Sequence, residues 1–282
     1  MLGIADYYKC VPTDPVLNVE WRNRLIEACD QDRVLRADII EFCRRDIRFY
    51  ASAFVWQFNP DETGNELGPW ISYEFQNEAL AEAVEWWILK RKDYNWEKSR
   101  KMGASWMALF IQDWACRFHN WKKFIDVSHM EQAVVADDSD SLFWKIQHMN
   151  DHLPEWLMGG VTKSKWRFNY PETHSSIGGR SSTGRTGVGG RGNVFCDEVG
   201  KMENAKAIIG QTVATGPRFF VSTHYPEGTE YAKLCERPDL KKRILHWTMH
   251  PKYSQGLYKW DQETKSVIFG KWNQKTKQIE SC

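Results

Sequence analysis

Residues 98–105 read Lys98-Ser99-Arg100-Lys101-Met102-Gly103-Ala104-Ser105. A phosphate-binding loop needs inward-pointing backbone N–H groups, a helix N-terminus, a cation for the phosphates and a hydroxyl for Mg²⁺. The usual spacing is G-x-x-x-x-G-K-[ST], and Gly103 and Ser105 match its sixth and eighth positions. Ala104 stands at the lysine position, and Lys98 at that of the first glycine. Taken alone, the stretch is typical of a helix that begins after a basic turn.

A second stretch, Val194-Phe195-Cys196-Asp197-Glu198, is an apolar run that ends in two carboxylates. In nucleotide hydrolysis an Asp at such a strand end helps to hold Mg²⁺, and the adjacent Glu polarises the attacking water. A surface loop that begins with acidic residues is the alternative interpretation. The order, with the loop first and the Asp-Glu strand about 90 residues later, is the order of a P-loop ATPase and favours the phosphate-loop hypothesis.

Two further polar sites fit the same interpretation. Ser222 and Thr223 follow the apolar run Phe219-Phe220-Val221, and hydroxyls at a neighbouring strand end face the same crevice, where they can sense a γ-phosphate. Gln76 lies upstream of the loop, and its amide can both donate to and accept from an adenine edge. The ordinary alternatives are a strand end capped by hydroxyls and a polar helix face.

The apolar pattern around these motifs alternates between the two regular periods. It predicts helices at 15–29, 33–51, 75–90, 106–118 and 131–151, and strands at 93–98, 123–128, 166–170, 193–196 and 218–222. Strands that alternate with helices indicate an α/β protein with a mostly parallel central sheet flanked by helices. Residues 175–192 are so rich in Gly that we expect them outside the core. The predicted parts are a helical region at 1–65, a core at 66–240 and a linker or small C-terminal lid subdomain at 241–282.

Charge and composition narrow the class of protein. Lys plus Arg is 38 and Asp plus Glu is 37, so only local basic patches, such as 90–92, 122–123 and 241–243, could contact nucleic acid. The seven cysteines include no C-x-x-C pair, which favours free thiols in a reducing compartment. No apolar run is long enough for a membrane span, so we expect no membrane partner.

The order of these motifs resembles the ATPase domain of the large terminase subunit, the DNA-packaging motor of tailed bacteriophages. The resemblance runs from about Pro69 to Gly228. It implies a P-loop NTPase of the additional-strand catalytic glutamate type that hydrolyses ATP to move DNA into a procapsid. The implied cofactors are ATP and Mg²⁺. The implied partners are double-stranded DNA, further copies of the chain in a ring, a portal protein and a small terminase subunit, in the host cytoplasm during virion assembly.

The resemblance also implies roles for single residues. Glu198 would be the catalytic base, Asp197 and Ser105 would hold Mg²⁺, and Ser222 and Thr223 would couple hydrolysis to movement. Gln76 and residues 98–105 would bind ATP. The chain looks similar to terminases in which the phosphate-binding lysine stands at the start of the loop. By this resemblance Lys98 would be the cation that binds the phosphates, with Arg100 or Lys101 as alternatives. His224 stands where relatives often have proline, so we expect a different coupling turn.

Arginines before the Asp-Glu strand are candidates for a residue that acts on a neighbouring subunit's ATP. The resemblance favours Arg185 and then Arg191, while a DNA-contacting or solvated loop is an equal alternative. Two other functions stay open, namely a degenerate module that binds DNA or assembles without hydrolysis, and a fragment of a terminase nuclease. The stretch after Gly228 is short for a nuclease fold. We therefore expect the motor half of a longer protein.

Overall fold

The computed structural model describes residues 6–62, 64, 66–180, 191–224, 226–273 and 275–281. Its α-helices in these ranges are α1 (Pro15–Gln31), α2 (Arg33–Arg45), α3 (Ile47–Phe54), α4 (Glu74–Ala83), α5 (Ala104–Phe118), α6 (Gln132–Val135), α7 (Leu142–Asp151), α8 (Glu155–Met158), α9 (Ala205–Gln211) and α10 (Glu230–Glu236). Other helical turns are Tyr7–Cys10, Val84–Leu89, Pro171–Thr173, Val199–Lys201 and Trp247–Met249. Among the described helices, none combines the length and the apolarity that crossing a membrane requires.

The strands of the described ranges belong to three sheets. They are β1 (Trp56–Phe58), β2 (Leu67–Pro69), β3 (Tyr94–Lys98), β4 (Lys123–Val127), β5 (Thr162–Ser164), β6 (Arg167–Tyr170), β7 (Ser175–Arg180), β8 (Asn193–Asp197), β9 (Arg218–Thr223), β10 (Lys241–Leu245), β11 (Leu257–Asp261), β12 (Ser266–Asn273) and β13 (Gln278–Ser281). The central sheet has the order β10-β3-β9-β8-β4-β7-β6-β5. The pairs from β10 to β7 are parallel, and β6 and β5 are added antiparallel. The predicted α/β class with a mostly parallel sheet is confirmed.

The position of β9 decides the type of sheet. β9 lies between β3, which leads into residues 98–105, and β8, which ends in Asp197. This inserted strand is the additional strand that the sequence-based fold class names. It separates the two motif-bearing strands by one strand width, so the loop and the carboxylates face each other across β9.

Each face of the central sheet has its own core, because side chains of successive strand residues point to opposite faces. Phe195 and Phe219 pack in the larger cluster with α5, whereas Val194 and Phe220 pack in a smaller cluster with α9 and α10. Helix α5 is buried along nearly its whole length. The helix directly behind the loop is therefore held on all sides, which fixes the position of the loop.

The N-terminal helices are delimited by aspartates. The carboxylates of Asp14, Asp32 and Asp46 each accept hydrogen bonds from the first N–H groups of the helix that follows. Asp46 thereby ends α2 and begins α3, so the single helix predicted at 33–51 is two helices. Buried Arg22 donates to the carbonyls of Val55 and Trp70, which ties α1 to the segment before the loop.

Two sequence predictions in the middle of the chain are wrong. The helix predicted at 131–151 is interrupted, because Ser141 caps α7 and turns the chain after α6. Part of the glycine-rich stretch predicted outside the core is the buried strand β7. A Cβ at Gly179 would lie 2.8 Å from Val134 Cγ1 and 3.2 Å from Trp166 Cε3, so glycine allows neighbouring side chains to pack onto the strand.

The C-terminal part divides between two sheets. Strand β10 pairs with β3 in the central sheet, whereas β11, β12 and β13 form a separate antiparallel sheet. Of the predicted subdomain 241–282, residues 241–245 thus belong to the core sheet, because their backbone completes the edge beside β3. The rest of the division at 65 and 240 stays a prediction.

Acid is expected to destabilise the fold through a buried histidine. His148 stacks on Trp144, and burial together with neighbouring His152 lowers its pKa to about 4. Because the unfolded chain binds this proton near pH 6.5, stability is lost as the pH falls from about 6.5 to 4. Urea unfolding should give a free energy of unfolding that is about 1–2 kcal/mol lower at pH 5 than at pH 7. His148→Gln should reduce this difference. Exposed His174→Asn is the control, and an equal loss in both variants would contradict this origin.

Candidate nucleotide-binding site

The functional residues predicted from sequence lie at the carboxyl edge of the parallel strands. Lys98 ends β3 and is in register with Thr223 at the end of β9. Asp197 ends β8 and is in register with Val221 of β9. Ligands of open α/β sheets bind outside this edge. Residues about 100 positions apart in the chain therefore meet at the edge where a ligand is expected.

An ion pair joins the loop to the second motif. Lys98 Nζ lies 2.9 Å from Glu198 Oε1, and the two side chains are only 9% and 17% exposed. Lys201 Nζ is 3.3 Å from Glu198 Oε2. Burial raises the pKa of Glu198, but the two lysines outweigh that effect and the net pKa is lowered. Glu198 is therefore a carboxylate at neutral pH, the form that a general base needs.

The backbone of Glu198 adopts the left-handed region, with φ 54° and ψ 43°. For a residue other than glycine this conformation costs about 1–2 kcal/mol. It directs the chain into the turn Val199–Lys201, where Gly200 N–H donates to Ser222 Oγ at 3.0 Å. Buried Ser222, the predicted coupling residue, thus contacts the turn that follows the predicted base.

Ser105 and Asp197 also meet. Ser105 Oγ donates to both carboxylate oxygens of Asp197, at 3.2 and 3.0 Å. Burial and the charge of Glu198 raise the pKa of Asp197 to about 6, despite the opposing effect of Lys98. Across the described ranges, no cluster of three or more His, Cys, Asp or Glu side chains is arranged as a metal site. Mg²⁺ at phosphate sites commonly uses one or two protein carboxylates plus the phosphates, so this hydroxyl and carboxylate fit the ion.

The loop itself turns sharply into α5. Gly103 has φ +74°, and α5 begins at Ala104, whose side chain is buried. The position that holds lysine in the usual motif therefore lies inside the protein, whereas Lys98 reaches the carboxyl edge. The first N–H groups of α5 lack partners within the helix and form an anion-binding end.

Replacing Gly103 by Ala is expected to destabilise the loop. The new Cβ would lie 2.8 Å from Trp70 Cη2 and 3.0 Å from Gln76 Nε2, besides requiring a positive φ. Gly256→Ala is a matched control, because it has φ +65° and nothing within 4 Å of its Cβ. We expect Gly103→Ala to lower the free energy of unfolding by about 1 kcal/mol or more beyond the control. If chemical denaturation shows equal losses of unfolding free energy in the two variants, the close contact of the new Cβ with Trp70 and Gln76 has no cost and the prediction is contradicted.

Gln76 is used inside the protein in this structure. Its Oε1 accepts from Tyr73 N–H at 2.9 Å, and its Nε2 donates to the Met102 carbonyl at 3.2 Å. The side chain thereby connects the start of α4 to the loop. A role in reading adenine stays a prediction.

The remaining loop residues have different environments. Ser99 Oγ accepts from Trp247 N–H at 3.0 Å, which ties the loop to the turn after β10. Arg100 is exposed. Lys101 Nζ pairs with Asp61 at 2.8 Å, and its side chain is largely exposed. Lys98 is thus the loop cation that contacts the two-carboxylate motif.

The arginine predictions differ in outcome. Arg185 lies outside the described residues. Arg191 precedes β8 and is exposed, at the opposite end of that strand from Glu198 and roughly 20 Å away along it. Within one chain it cannot reach Glu198, and action on a neighbouring subunit stays a prediction. Arg180 ends β7 at the carboxyl edge, level with Val127 of β4.

Other polar side chains near the site were not singled out from sequence. Lys201 pairs with Glu198 because the left-handed turn brings it back, which the sequence does not signal. Buried Lys145 donates to the Asp140 carbonyl at 2.5 Å. Asp126 is fully buried on β4, and burial holds its pKa well above the usual range. The sequence feature that could have identified Asp126 is a carboxylate within the apolar run 123–128.

Among the comparisons with known proteins, only the comparison with solved structures gave matches. No protein-family model matches the chain, and no curated protein matches it. The chain is similar to the large terminase of bacteriophage HK97, with 16% identity and a TM-score of 0.49. The match covers 69% of this chain and 43% of that chain, so this chain spans less than half of the HK97 protein.

Two further matches have lower TM-scores. The ATPase domain of the Thermus phage P74-26 large terminase has 16% identity and a TM-score of 0.43, with 57% of this chain and 78% of that chain covered. The large terminase of the thermophilic bacteriophage D6E, in complex with ATP-gamma-S, has 14% identity and a TM-score of 0.43, with 61% and 45% covered. These solved structures are large terminases, the family whose motifs the sequence resembles.

Proposed function

We propose that the chain is the ATPase motor part of a phage large terminase, which hydrolyses ATP to translocate double-stranded DNA into a procapsid. The observation that carries the proposal is the meeting of Lys98 with Glu198 and of Ser105 with Asp197 at one carboxyl edge. A phosphate cation, a metal-binding pair and a base are the parts that phosphoryl transfer to water requires.

Each residue has one task in this mechanism. Mg²⁺, when bound, neutralises charge on the phosphate oxygens, and Ser105 and Asp197 would hold it. Lys98 and the N-terminus of α5 bind the phosphates. Glu198 accepts a proton from the attacking water. Residues 98–105 surround the phosphates, and Gln76 supports them.

The ion pair of Lys98 with Glu198 gives the site two states. A phosphate group competes with Glu198 for Lys98, because both are anions within reach of one ammonium. When phosphate takes Lys98, the Glu198 carboxylate loses a partner that lowers its basicity. The base is thereby activated when nucleotide binds.

The coupling proposal rests on Ser222 and Thr223. Ser222 accepts from Gly200 in the turn behind Glu198, so a shift of that turn is transmitted to β9. His224 Nδ1 lies 2.7 Å from Glu97 Oε1, beside the loop strand. We propose that the contact of Ser222 with Gly200 links the state of the site to movement, with a trans-acting arginine, Arg185 or Arg191, from the next subunit of a ring.

The partners proposed are duplex DNA, further copies of the chain, a portal protein and a small terminase subunit, in the host cytoplasm. Two of the basic patches are weaker DNA candidates than their sequence indicates. Lys90 pairs with Glu85, and Lys241 and Arg243 pair with Glu82. We propose that residues outside these ion pairs contribute to the DNA contact.

ATP hydrolysis with and without linear duplex DNA tests the motor proposal. We expect Mg²⁺-dependent turnover that rises several-fold when DNA is added. Turnover independent of DNA would contradict a motor and leave a simple ATPase. DNA binding without any ATP binding or turnover would instead support the degenerate assembly module.

A further inference from the structure

The small C-terminal sheet carries large apolar side chains on its outer face. The strand register pairs Tyr258 with Phe269 and Trp260 with Val267, so all four side chains share one face. They are 66%, 67%, 60% and 45% exposed, respectively. The rings of Tyr258 and Phe269 lie 6.3 Å apart. These four residues are called the aromatic face below.

The other face of the same sheet is the one that packs against the protein. Leu257, Ile268 and Trp272 are partly buried there, and Gly270 is buried. The Trp272 ring lies 5.8 Å from that of Trp247. An antiparallel sheet with one covered face normally has a polar outer face. A contiguous exposed apolar face instead marks an interaction site.

Lysines outnumber carboxylates around the aromatic face, since residues 257–281 hold five lysines against the three carboxylates Asp261, Glu263 and Glu280. Lys271 shares the face with Phe269, Lys265 lies in the turn between β11 and β12, and Lys275 lies in the turn between β12 and β13. These lysines are exposed, and none forms a salt bridge with a carboxylate of the described residues. Glu280, opposite Lys271, instead accepts hydrogen bonds from Asn273 and Thr276.

The combination of rings and lysines selects the kind of partner. Aromatic residues are enriched in protein interfaces, but lysine is depleted there. Surfaces that bind single-stranded nucleic acid combine aromatic rings, on which bases stack, with cations that follow the phosphates. The net charge of residues 257–281 is +2, which complements a polyanion.

We propose that the aromatic face binds single-stranded DNA, with unpaired bases stacked on Tyr258, Trp260 and Phe269 and phosphates held by Lys265, Lys271 and Lys275. The proposal rests on the proposed function in taking DNA as the nucleic acid. It adds a contact for strand ends or locally opened duplex, outside the nucleotide site. Binding here needs no ATP.

The test is the affinity of a fluorescein-labelled oligo-deoxythymidine, measured by anisotropy without nucleotide. Trp260→Ala and Phe269→Ala should each raise Kd about tenfold. Trp260→Phe keeps a ring and should stay within about threefold. Val267→Ala removes apolar area of the same face without a ring and should change Kd less than twofold. Circular dichroism checks that these exposed substitutions leave the fold intact.

Other results would overturn the proposal. Unchanged Kd in both alanine variants excludes stacking on this face. A duplex probe of the same length bound as tightly as the single strand excludes unpaired bases, and an RNA probe bound tenfold tighter excludes DNA as the partner. Self-association lost in Trp260→Ala and Val267→Ala alike would make the face a protein interface. Turnover of ATP is measured separately, so failure of the motor proposal is distinguishable.

Discussion

Glu198→Gln is expected to slow ATP hydrolysis by about 10²–10⁴-fold, because the amide cannot accept the proton of the attacking water. The substitution keeps the size of the side chain and removes its charge. Nucleotide affinity should be retained or rise, because Lys98 no longer has Glu198 as a competing partner. Single-turnover phosphate release and equilibrium binding of a fluorescent ATP analogue separate the two effects.

A carboxylate at the same edge provides the matched control. Glu97, one residue before Lys98, pairs with His224 and has no described contact with Glu198 or Asp197. Glu97→Gln removes an equal charge and should reduce turnover less than about threefold. Equal losses in the two variants would show that the edge needs negative charge in general and would contradict the assignment of Glu198 as base.

Lys98→Met is expected to weaken ATP binding by about 10- to 100-fold. Hydrogen bonds to charged groups contribute about 1.5–3 kcal/mol, and no other loop cation contacts the two-carboxylate motif in the described residues. Methionine keeps the length of the chain and loses the ammonium. Calorimetric titration with Mg-ATP measures the change in Kd.

Lys201→Met is the matched control for this prediction. Lys201 also pairs with Glu198, at 3.3 Å, but its side chain is 43% exposed and lies beyond the loop. We expect less than a threefold change in Kd. The alternative cations are tested by Arg100→Met and Lys101→Met. If ATP affinity falls only in Lys101→Met or only in Arg100→Met and is unchanged in Lys98→Met, that other residue is the cation that binds the phosphates.

Local sequence patterns predicted the strands that carry the site well. The strands at 93–98, 193–196 and 218–222 differ from β3, β8 and β9 by one residue at an end. Their order in the sheet followed from the resemblance and from no local pattern, since β3 pairs with residues of β9 that lie 125 positions later in the chain. The adjacency of Lys98 and Glu198 depends on that order.

Tertiary packing explains the misses. The glycines of β7 indicated a loop, but Gly179 is buried beneath Val134 and Trp166, where a larger residue does not fit. The pairing of Lys201 with Glu198 depends on a positive φ that a Glu rarely adopts. Neither the composition nor the periodicity of the chain reports such contacts.

The most direct test is phosphate release from ATP by the unmodified chain, with Mg²⁺ and then with excess EDTA. If Lys98, Ser105, Asp197 and Glu198 form one hydrolytic site, release saturates with ATP and is abolished by EDTA. ATP that binds with Lys98-dependent affinity yet releases no phosphate, at any protein concentration that permits assembly, would contradict the account.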